Sequence, residues 1–283
     1  MANQSRAVLI TGCSSGIGHA TAERLARSGH RVYASARNPD AIADLAGSGC
    51  ELLALDVTDE ESMRSAVEQV EEREGAVGVL VNNAGYSQSG AIESVPMEAV
   101  RRQFETNVFG PVRLTQLVLP AMRAQRWGRI VNISSIGGRL VFPGGGFYHA
   151  TKYAVEAISD ALRFEVAGFG IGVTVIEPGL IRTRFGEVAA SSVRDETAGR
   201  GAYDQFNEAV AATTTGAYEN GMLAKLGGTP EDVAKAIEKA VDADRPPTRV
   251  PVTASARLLI PQRKFTPDRL WDRMMRVAYP QPK

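Results

Sequence analysis

Near its start the chain reads Ala7-Val8-Leu9-Ile10-Thr11-Gly12-Cys13-Ser14-Ser15-Gly16-Ile17-Gly18-His19-Ala20. A continuous apolar run leads into a turn with three glycines, and an amphipathic helix pattern follows over residues 17–27. Unbroken apolar runs of this length fit a parallel strand buried on both faces. Glycines let the chain turn sharply and let backbone come close to a ligand. The free N–H groups of the helix start can then hold a diphosphate. Gly12, Ser14, Ser15, Gly16, Ile17 and Gly18 are therefore candidate nucleotide-binding residues. The spacing is G-x-x-x-G-x-G, which differs from the G-x-G-x-x-G dinucleotide fingerprint.

Outward from this unit the alternation continues. Strand-like runs lie at 31–35, 51–56, 77–82, 129–134 and 172–177, besides the first at 7–11. Helix patterns occupy 60–73, 97–125 and 148–167. Helices of this length between strands serve as right-handed crossovers, so the fold class is α/β with a doubly wound parallel sheet. Thr58-Asp59-Glu60-Glu61 resembles a capping box, and Thr229-Pro230-Glu231-Asp232 opens a late helix in the same way. Gly110-Pro111 and Pro120 predict that the long 97–125 pattern kinks or splits. Residues 183–228 lose the alternation and read as a small helical insertion. Residues 266–278 form an amphipathic pattern with Leu270, Trp271, Met274, Met275 and Val277 among arginines, and a short tail follows to 283. Such a helix packs on the body of the protein or on a partner subunit; a membrane-surface helix is the minor alternative. The whole of 1–283 is expected to form a single domain.

Composition removes several function classes. The 283 residues are 44% hydrophobic and 23% charged, and 32 Lys and Arg balance 32 Asp and Glu. A net charge of zero argues against a nucleic-acid or polyanion binder. Cys13 and Cys50 are the only cysteines and read as free thiols of a reducing compartment. No leader pattern and no apolar stretch long enough to span a membrane is found, so a cytoplasmic location is expected. No metal-ligand set stands out.

Two strand ends carry the cofactor reading. An acid after the second strand binds the ribose 2′-OH of NAD, whereas a basic residue accommodates the 2′-phosphate of NADP. The chain reads Tyr33-Ala34-Ser35-Ala36-Arg37-Asn38, with no acid and with Arg37 present. NADP(H) is therefore favoured, with NAD(H) the alternative. Asp56 ends the third strand run, where its carboxylate can accept from an adenine amino group or cap the next helix. Asn82-Asn83-Ala84-Gly85 closes the fourth strand with small residues over which a nucleotide can pass. Tyr148 and Lys152 stand four residues apart, about one helical turn, which puts a phenol beside an ammonium on one face. A neighbouring cation favours the phenolate and predicts a lowered tyrosine pKa, suited to acid–base work.

Taken together, Thr11 to Gly18, Asp56-Val57, Asn82 to Gly85, Asn107, Ser134-Ser135, Tyr148-x-x-x-Lys152 and Pro178-Gly179 followed by Thr183 resemble the short-chain dehydrogenase/reductase superfamily in its single-domain, Rossmann-like form. The match spans about residues 6–185. The wording around the glycine turn and Val32 to Arg37 is most similar to the branch of 17β-hydroxysteroid and retinol dehydrogenases. The resemblance implies a catalytic tetrad of Asn107, Ser135, Tyr148 and Lys152, with Ser135 rather than Ser134 in the serine role. It implies cofactor contacts from the glycine turn, Arg37, Asp56, Val57, Asn83, Ala84, Gly85, Tyr148, Lys152, Pro178, Gly179, Ile181 and Thr183. It also implies a homodimer or homotetramer formed through the fourth and fifth helices, where Gly110, Ala157 and Ala161 would permit close packing.

The implied reaction is interconversion of a carbonyl and an alcohol. Ser135, Tyr148, Phe142 and Phe185 are expected to contact the small-molecule substrate. The apolar residues around them suit a bulky neutral ketone or alcohol such as a hydroxysteroid, a retinoid or an aromatic ketone. The rivals are a 3-oxoacyl-thioester reductase of the same superfamily, an epimerase or dehydratase of its extended branch, and a non-catalytic NADP(H)-sensing protein.

Overall fold

The computed structural model of the chain describes residues 4–183, 185–197, 201–219 and 225–282. Seven strands form one parallel sheet: β1 (Val8–Ile10), β2 (Val32–Ala36), β3 (Glu51–Ala54), β4 (Val79–Asn82), β5 (Gly128–Ile133), β6 (Ile171–Glu177) and β7 (Arg249–Pro251). Their order across the sheet is β3-β2-β1-β4-β5-β6-β7. The chain winds outward one way from β1 to β3 and the other way from β4 to β7. The reversal lies between β1 and β4, which pair directly through Val8↔Val79, Leu9↔Leu80 and Ile10↔Val81. In open sheets of this kind a crevice opens at the carboxyl ends of the strands beside such a reversal.

The helices cover both faces. They are α1 (Gly16–Arg27), α2 (Glu60–Glu74), α3 (Met97–Phe104), α4 (Gly110–Gln125), α5 (Gly146–Val166), α6 (Phe185–Thr197), α7 (Asp204–Glu219), α8 (Pro230–Asp242), α9 (Ala254–Phe265) and α10 (Asp268–Ala278). Alternate strand residues feed two separate cores. Val8, Ile10, Val79 and Val81 pack with Ala22 and Leu25 of α1 and with Val233 and Ile237 of α8. Leu9, Leu80 and Ile130 pack with Met63 and Val67 of α2 and with Leu114, Val118 and Met122 of α4. Burial on both faces is why these strands read as unbroken apolar runs.

Several local expectations need correction. The cap of α2 is Asp59, whose side chain accepts from the Ser62 N–H at 3.0 Å, while Thr58 turns back to Asp56. The 97–125 pattern does split: a five-residue π turn, Glu105–Phe109, separates α3 from α4. Pro111 sits in the first turn of α4, where its missing N–H costs no hydrogen bond. α8 starts with a capping box between Thr229 and Asp232, as the sequence predicts. A 3-10 stretch, Pro39–Ser48, capped by Asn38, joins β2 to β3 and was not expected; nor were β7 and α9. Gly110 serves packing within the chain, because a Cβ there would lie 2.9 Å from Val57 Cβ and closer still to its carbonyl oxygen. Part of the 183–228 insertion, Arg184, 198–200 and 220–224, lies outside the described residues.

Candidate active site

The glycine turn is built by its neighbours as much as by its own residues. Gly12 has φ +72, and a Cβ there would lie 2.9 Å from Ala84 Cα. At Gly18 a Cβ would overlap Asn83 Nδ2 and the Gly12 carbonyl, so both positions need glycine. Thr11, 1% exposed, ties β1 to β4. Its Oγ1 accepts the N–H groups of Asn83 and Ala84, both at 3.0 Å. Asn83 Nδ2 in turn donates to the carbonyls of Thr11 at 2.9 Å and Gly12 at 3.1 Å. The Asn83 side chain is thus a clamp on the turn. Ser15 flanks α1 in extended conformation and makes no side-chain cap, and Ser14 and Ser15 are exposed. The first N–H groups of α1 therefore open onto the crevice without a hydroxyl across them.

The remaining expected cofactor residues border the same crevice. Arg37 is exposed one residue past β2. Asp56 Oδ1 accepts from Thr58 N at 2.9 Å and Thr58 Oγ1 at 2.8 Å, and Oδ2 has no hydrogen bond among the described residues. Val57 is buried under Gly110. Thr183 faces the glycine turn, since a Cβ on Gly16 would lie 3.3 Å from Thr183 Cγ2. Gly179 packs against Thr253 and Ser255 at the start of α9. There Thr253 holds an unusual φ of +115 and caps the helix by accepting from Ala256 N at 3.1 Å. Ile181 is buried in the core and bridges to Gly228, so its side chain does not face a ligand and only its backbone remains for one.

The four candidate tetrad residues converge beside this crevice. Ser135, just past β5, caps a short turn and accepts from Gly137 N at 3.0 Å. Its side chain also hydrogen-bonds Tyr148 in the first turn of α5. Lys152 lies one turn on; its Nζ is 5.8 Å from the Tyr148 ring centroid and donates to the Ile133 carbonyl at 2.8 Å. Asn107 sits at the centre of the π turn, a distortion that often marks functional positions. Its Nδ2 donates to Tyr86 O at 2.9 Å and to Thr151 Oγ1 at 3.1 Å, and its Oδ1 accepts from Tyr86 N at 3.1 Å. Asn107 therefore stitches the segment after β4 to α5, and one lone pair of Oδ1 remains. Thr151 completes this stitch by donating to Tyr148 O at 2.7 Å.

Burial governs the electrostatics. Desolvation pushes the Tyr148 phenol up to about 12, against a downward pull from the Ser135 hydrogen bond. Desolvation likewise brings Lys152 down to about 8, opposed by the Glu156 carboxylate. The expected lowering of the tyrosine by its lysine neighbour is not what the site produces. Both groups are buried, and burial disfavours the charged form of each. His149, between them in sequence, is driven down to about 4 by burial and packs edge-on against Tyr148 with ring centroids 5.7 Å apart.

Aromatic rings pack on Tyr148 and on its neighbour His149. The Phe185 ring centroid is 5.4 Å from that of Tyr148. Phe142 reaches His149 at 6.1 Å and Trp271 of α10 at 6.2 Å. Trp271 anchors α10 here, its Nε1 donating to Val141 O at 3.3 Å. Thr11, Thr151 and Trp271 were not among the expected site residues. Thr11 ends a strand at the glycine turn, which is a signal, whereas nothing local marks the other two. Among the described residues no group of three or more His, Cys, Asp or Glu side chains could hold a metal ion, and no helix is long and apolar enough to cross a membrane.

Comparison with known proteins agrees with this geometry. The family model for short chain dehydrogenases matches residues 6–193. A protein of Bacteroides thetaiotaomicron named 3-ketodihydrosphingosine reductase is 37% identical, over 98% of each chain. Among solved structures, a short-chain dehydrogenase from Streptomyces avermitilis has a TM-score of 0.75 at 34% identity, covering 93% of each chain. A closed form of serine dehydrogenase complexed with NADP+ has a TM-score of 0.74 at 27% identity, covering 87% of this chain and 94% of its own. The chain belongs to the short-chain dehydrogenase family of NAD(P)-dependent oxidoreductases.

Proposed function

We propose that the protein is an NADP(H)-dependent reductase of a ketone or aldehyde on a bulky apolar molecule, with Tyr148 as the acid–base group. The observation that carries this reading is the convergence of Ser135, Tyr148 and Lys152 with the Phe185 ring against Tyr148, and with Phe142 and Trp271 packed behind the neighbouring His149. The residues fit a dinucleotide: a glycine cradle that a Cβ would fill, an uncapped α1 start, and a free Asp56 oxygen on one side. A bound nicotinamide supplies or takes the hydride. Gly12 to Gly18 would hold the diphosphate, Arg37 would meet the 2′-phosphate, and Ala84 and Gly85 would leave room for the nucleotide beside β4. Val57 and Asp56 would contact the adenine, and Pro178, Gly179, Thr183 and the Ile181 backbone would contact the nicotinamide.

Ser135 Oγ and the Tyr148 hydroxyl hydrogen-bond the carbonyl oxygen and stabilise the negative charge that builds there. Tyr148 then donates its proton to that oxygen. A phenol held protonated up to about 12 keeps its proton throughout the neutral range, which suits the acid role. Lys152, with its value near 8, passes a proton back to Tyr148 and holds the ribose hydroxyls. The remaining Oδ1 lone pair of Asn107 orders a water that connects Lys152 to solvent.

Replacing Tyr148 by Phe tests the assignment. Carbonyl reduction should fall by about 10²- to 10⁴-fold while NADPH binding is kept; undiminished turnover in a folded variant would falsify it. Arg37→Ala should raise the KM for NADPH about tenfold and leave that for NADH unchanged; a wild-type preference for NADH would refute the cofactor reading. A second substrate reading, a 3-keto group on a long alkyl chain, is favoured by the name of the Bacteroides relative. A panel of a long-chain 3-ketone, a 3-oxoacyl thioester, a ketosteroid, retinal and a small charged ketone separates the two, with activity confined to the last refuting both. The single-domain organisation, a homodimer or homotetramer and a cytoplasmic location belong to the same proposal, and exposed Ala157, Ile158, Ala161 and Phe164 of α5 support the assembly.

A further inference from the structure

Helices α9 and α10 each leave an apolar stripe uncovered beside a row of cations. On α9, Leu258, Pro261 and Phe265 recur at helical spacing on one face, with Leu258 55% and Phe265 80% exposed. Arg257 and Lys264, seven residues apart, border that stripe. On α10, Leu270, Met274 and Val277 form a second stripe, 48%, 37% and 89% exposed. Arg269, Arg273 and Arg276 run along one side of it, and Asp268 and Asp272 lie beyond the arginines, away from the apolar row. The remaining face of α10 is inward: Trp271 and Met275 pack with Leu140, Ile136 and Phe142.

We propose that α9 and α10 dock the protein on an anionic membrane surface, with the apolar stripes in the acyl boundary and the cations at the lipid phosphates. Charge complementarity selects this occupant. Residues 254–278 hold six Lys and Arg against two Asp, on a chain whose net charge is zero. Arg263 is occupied, paired with Asp268 at 2.6 Å and stacked over Trp271. The other five have no acidic partner among the described residues. A second copy is the poorer occupant, because a twofold contact brings together two patches that each hold six cations against two acids. Apolar residues beside basic ones on one helical surface are the composition of interfacial helices.

The surface also lies beside the candidate substrate site. Trp271 binds Val141 and Phe142 at one end of α10, and Tyr279 packs on Ala190, Val193 and Val210 of α6 and α7 at the other. A membrane-resident ketone would reach the cleft directly, a consequence that rests on the proposed function; the docking itself does not.

Flotation of the full chain with vesicles of phosphatidylcholine, alone or with about a third phosphatidylglycerol, reads the proposal without turnover. Binding is expected to the anionic vesicles only, and added salt should weaken it. Arg269→Gln with Arg273→Gln should weaken it about thirty-fold, at the usual worth of one cation near an anionic surface. Phe265→Ser with Val277→Ser should weaken it at least about tenfold. All four side chains are exposed, so an unchanged thermal midpoint shows that the fold is kept. Equal or absent binding to the two vesicle types overturns the proposal. So does a change of oligomeric state in the apolar variant with vesicle binding intact, which would assign the patch to a second copy. Loss of carbonyl reductase activity from the reading of the cleft would leave the vesicle result standing.

Discussion

Thr11→Val removes one hydroxyl and keeps the shape of the side chain, and it should damage both stability and cofactor binding. Thr11 Oγ1 accepts two backbone N–H groups, from Asn83 and Ala84, each at 3.0 Å, and the residue is 1% exposed. Valine leaves those N–H groups facing a methyl on a buried side chain, although Asn83 and Ala84 are themselves only half-buried. An orphaned buried donor costs about 1–3 kcal/mol. Two donors that share one acceptor and relax partly together should cost about 2–4 kcal/mol. For a chain of this size that is a fall of roughly 4–8 °C in the thermal midpoint. The functional effect follows from Asn83, whose amide clamps the carbonyls of Thr11 and Gly12. Once Asn83 is free to shift, the glycine turn loses its fixed shape, and the KM for NADPH should rise about tenfold, the usual worth of a lost positioning contact. Thr11→Ser restores the acceptor and should recover most of both effects. Differential scanning calorimetry and steady-state kinetics on the three proteins read the outcome. A valine variant within about 1 kcal/mol of the parent, or a serine variant as damaged as valine, would show that the strand junction does not depend on this hydroxyl.

Glu177 is pushed up to about 7 by burial and by the nearby Glu156 carboxylate, from an ordinary 4.5. The folded state therefore binds more protons between those values, and stability should fall as pH rises from about 4.5 through 7. Glu177→Gln should flatten that slope, read as urea midpoints at pH 5 and pH 8, with about 2 kcal/mol lost by the parent and little by the variant. Lys152 is depressed to about 8 from 10.5, so its burial penalty is complete below pH 8 and is relieved as pH rises towards 10.5. Lys152→Met should accordingly be more stable than the parent at pH 7, by about 2 kcal/mol after the lost hydrogen bond to Ile133 is deducted, while turnover collapses; a variant less stable at pH 7 and equally active would contradict the reading. Burial lifts the Cys13 thiol to about 12 and the Cys50 thiol to about 11. Neither should be alkylated by iodoacetamide at pH 8 in the native protein, and both should react after unfolding.

What the sequence disclosed was the part of the structure whose cause is local. β1 and β4 are readable because burial on both faces demands an unbroken apolar run, and Tyr148 and Lys152 because a helix fixes residues one turn apart. Asn38-Pro39-Asp40 did carry a signal for the 3-10 stretch, a side-chain cap followed by a proline in the first turn. The cap of α2 was ambiguous between Thr58 and Asp59 until Asp56 claimed the Thr58 hydroxyl at 2.8 Å. Trp271 reads as one more apolar residue of an amphipathic helix, because its partner Val141 is 130 residues away in the chain. The tyrosine pKa was misjudged for the same reason. A neighbouring charge is visible in a four-residue motif, whereas the burial that outweighs it is a property of the whole fold.

The row that begins with Tyr148 and Lys152 continues down α5 as Glu156 and Asp160, all at four-residue spacing on one slowly drifting face. A carboxylate one turn from Lys152 would ordinarily hold the ammonium charged, and Glu156 does push in that direction. Glu156 is itself paired with Arg249, whose Nε lies 2.9 Å from it while a second nitrogen lies 2.6 Å from Asp160. Arg139 approaches Glu156 at 3.9 Å from the turn that follows Ser135. The pull of Glu156 does not offset desolvation, and the lysine comes to rest near 8, within reach of proton exchange at neutral pH. Arg249 arrives on β7, three residues that no sequence pattern marks, held beside α5 by pairing of Val250 with Ile176. The carboxylate one turn from Lys152 is thus held from the least conspicuous strand, while burial, a property of the whole fold, sets the proton affinity of the pair itself.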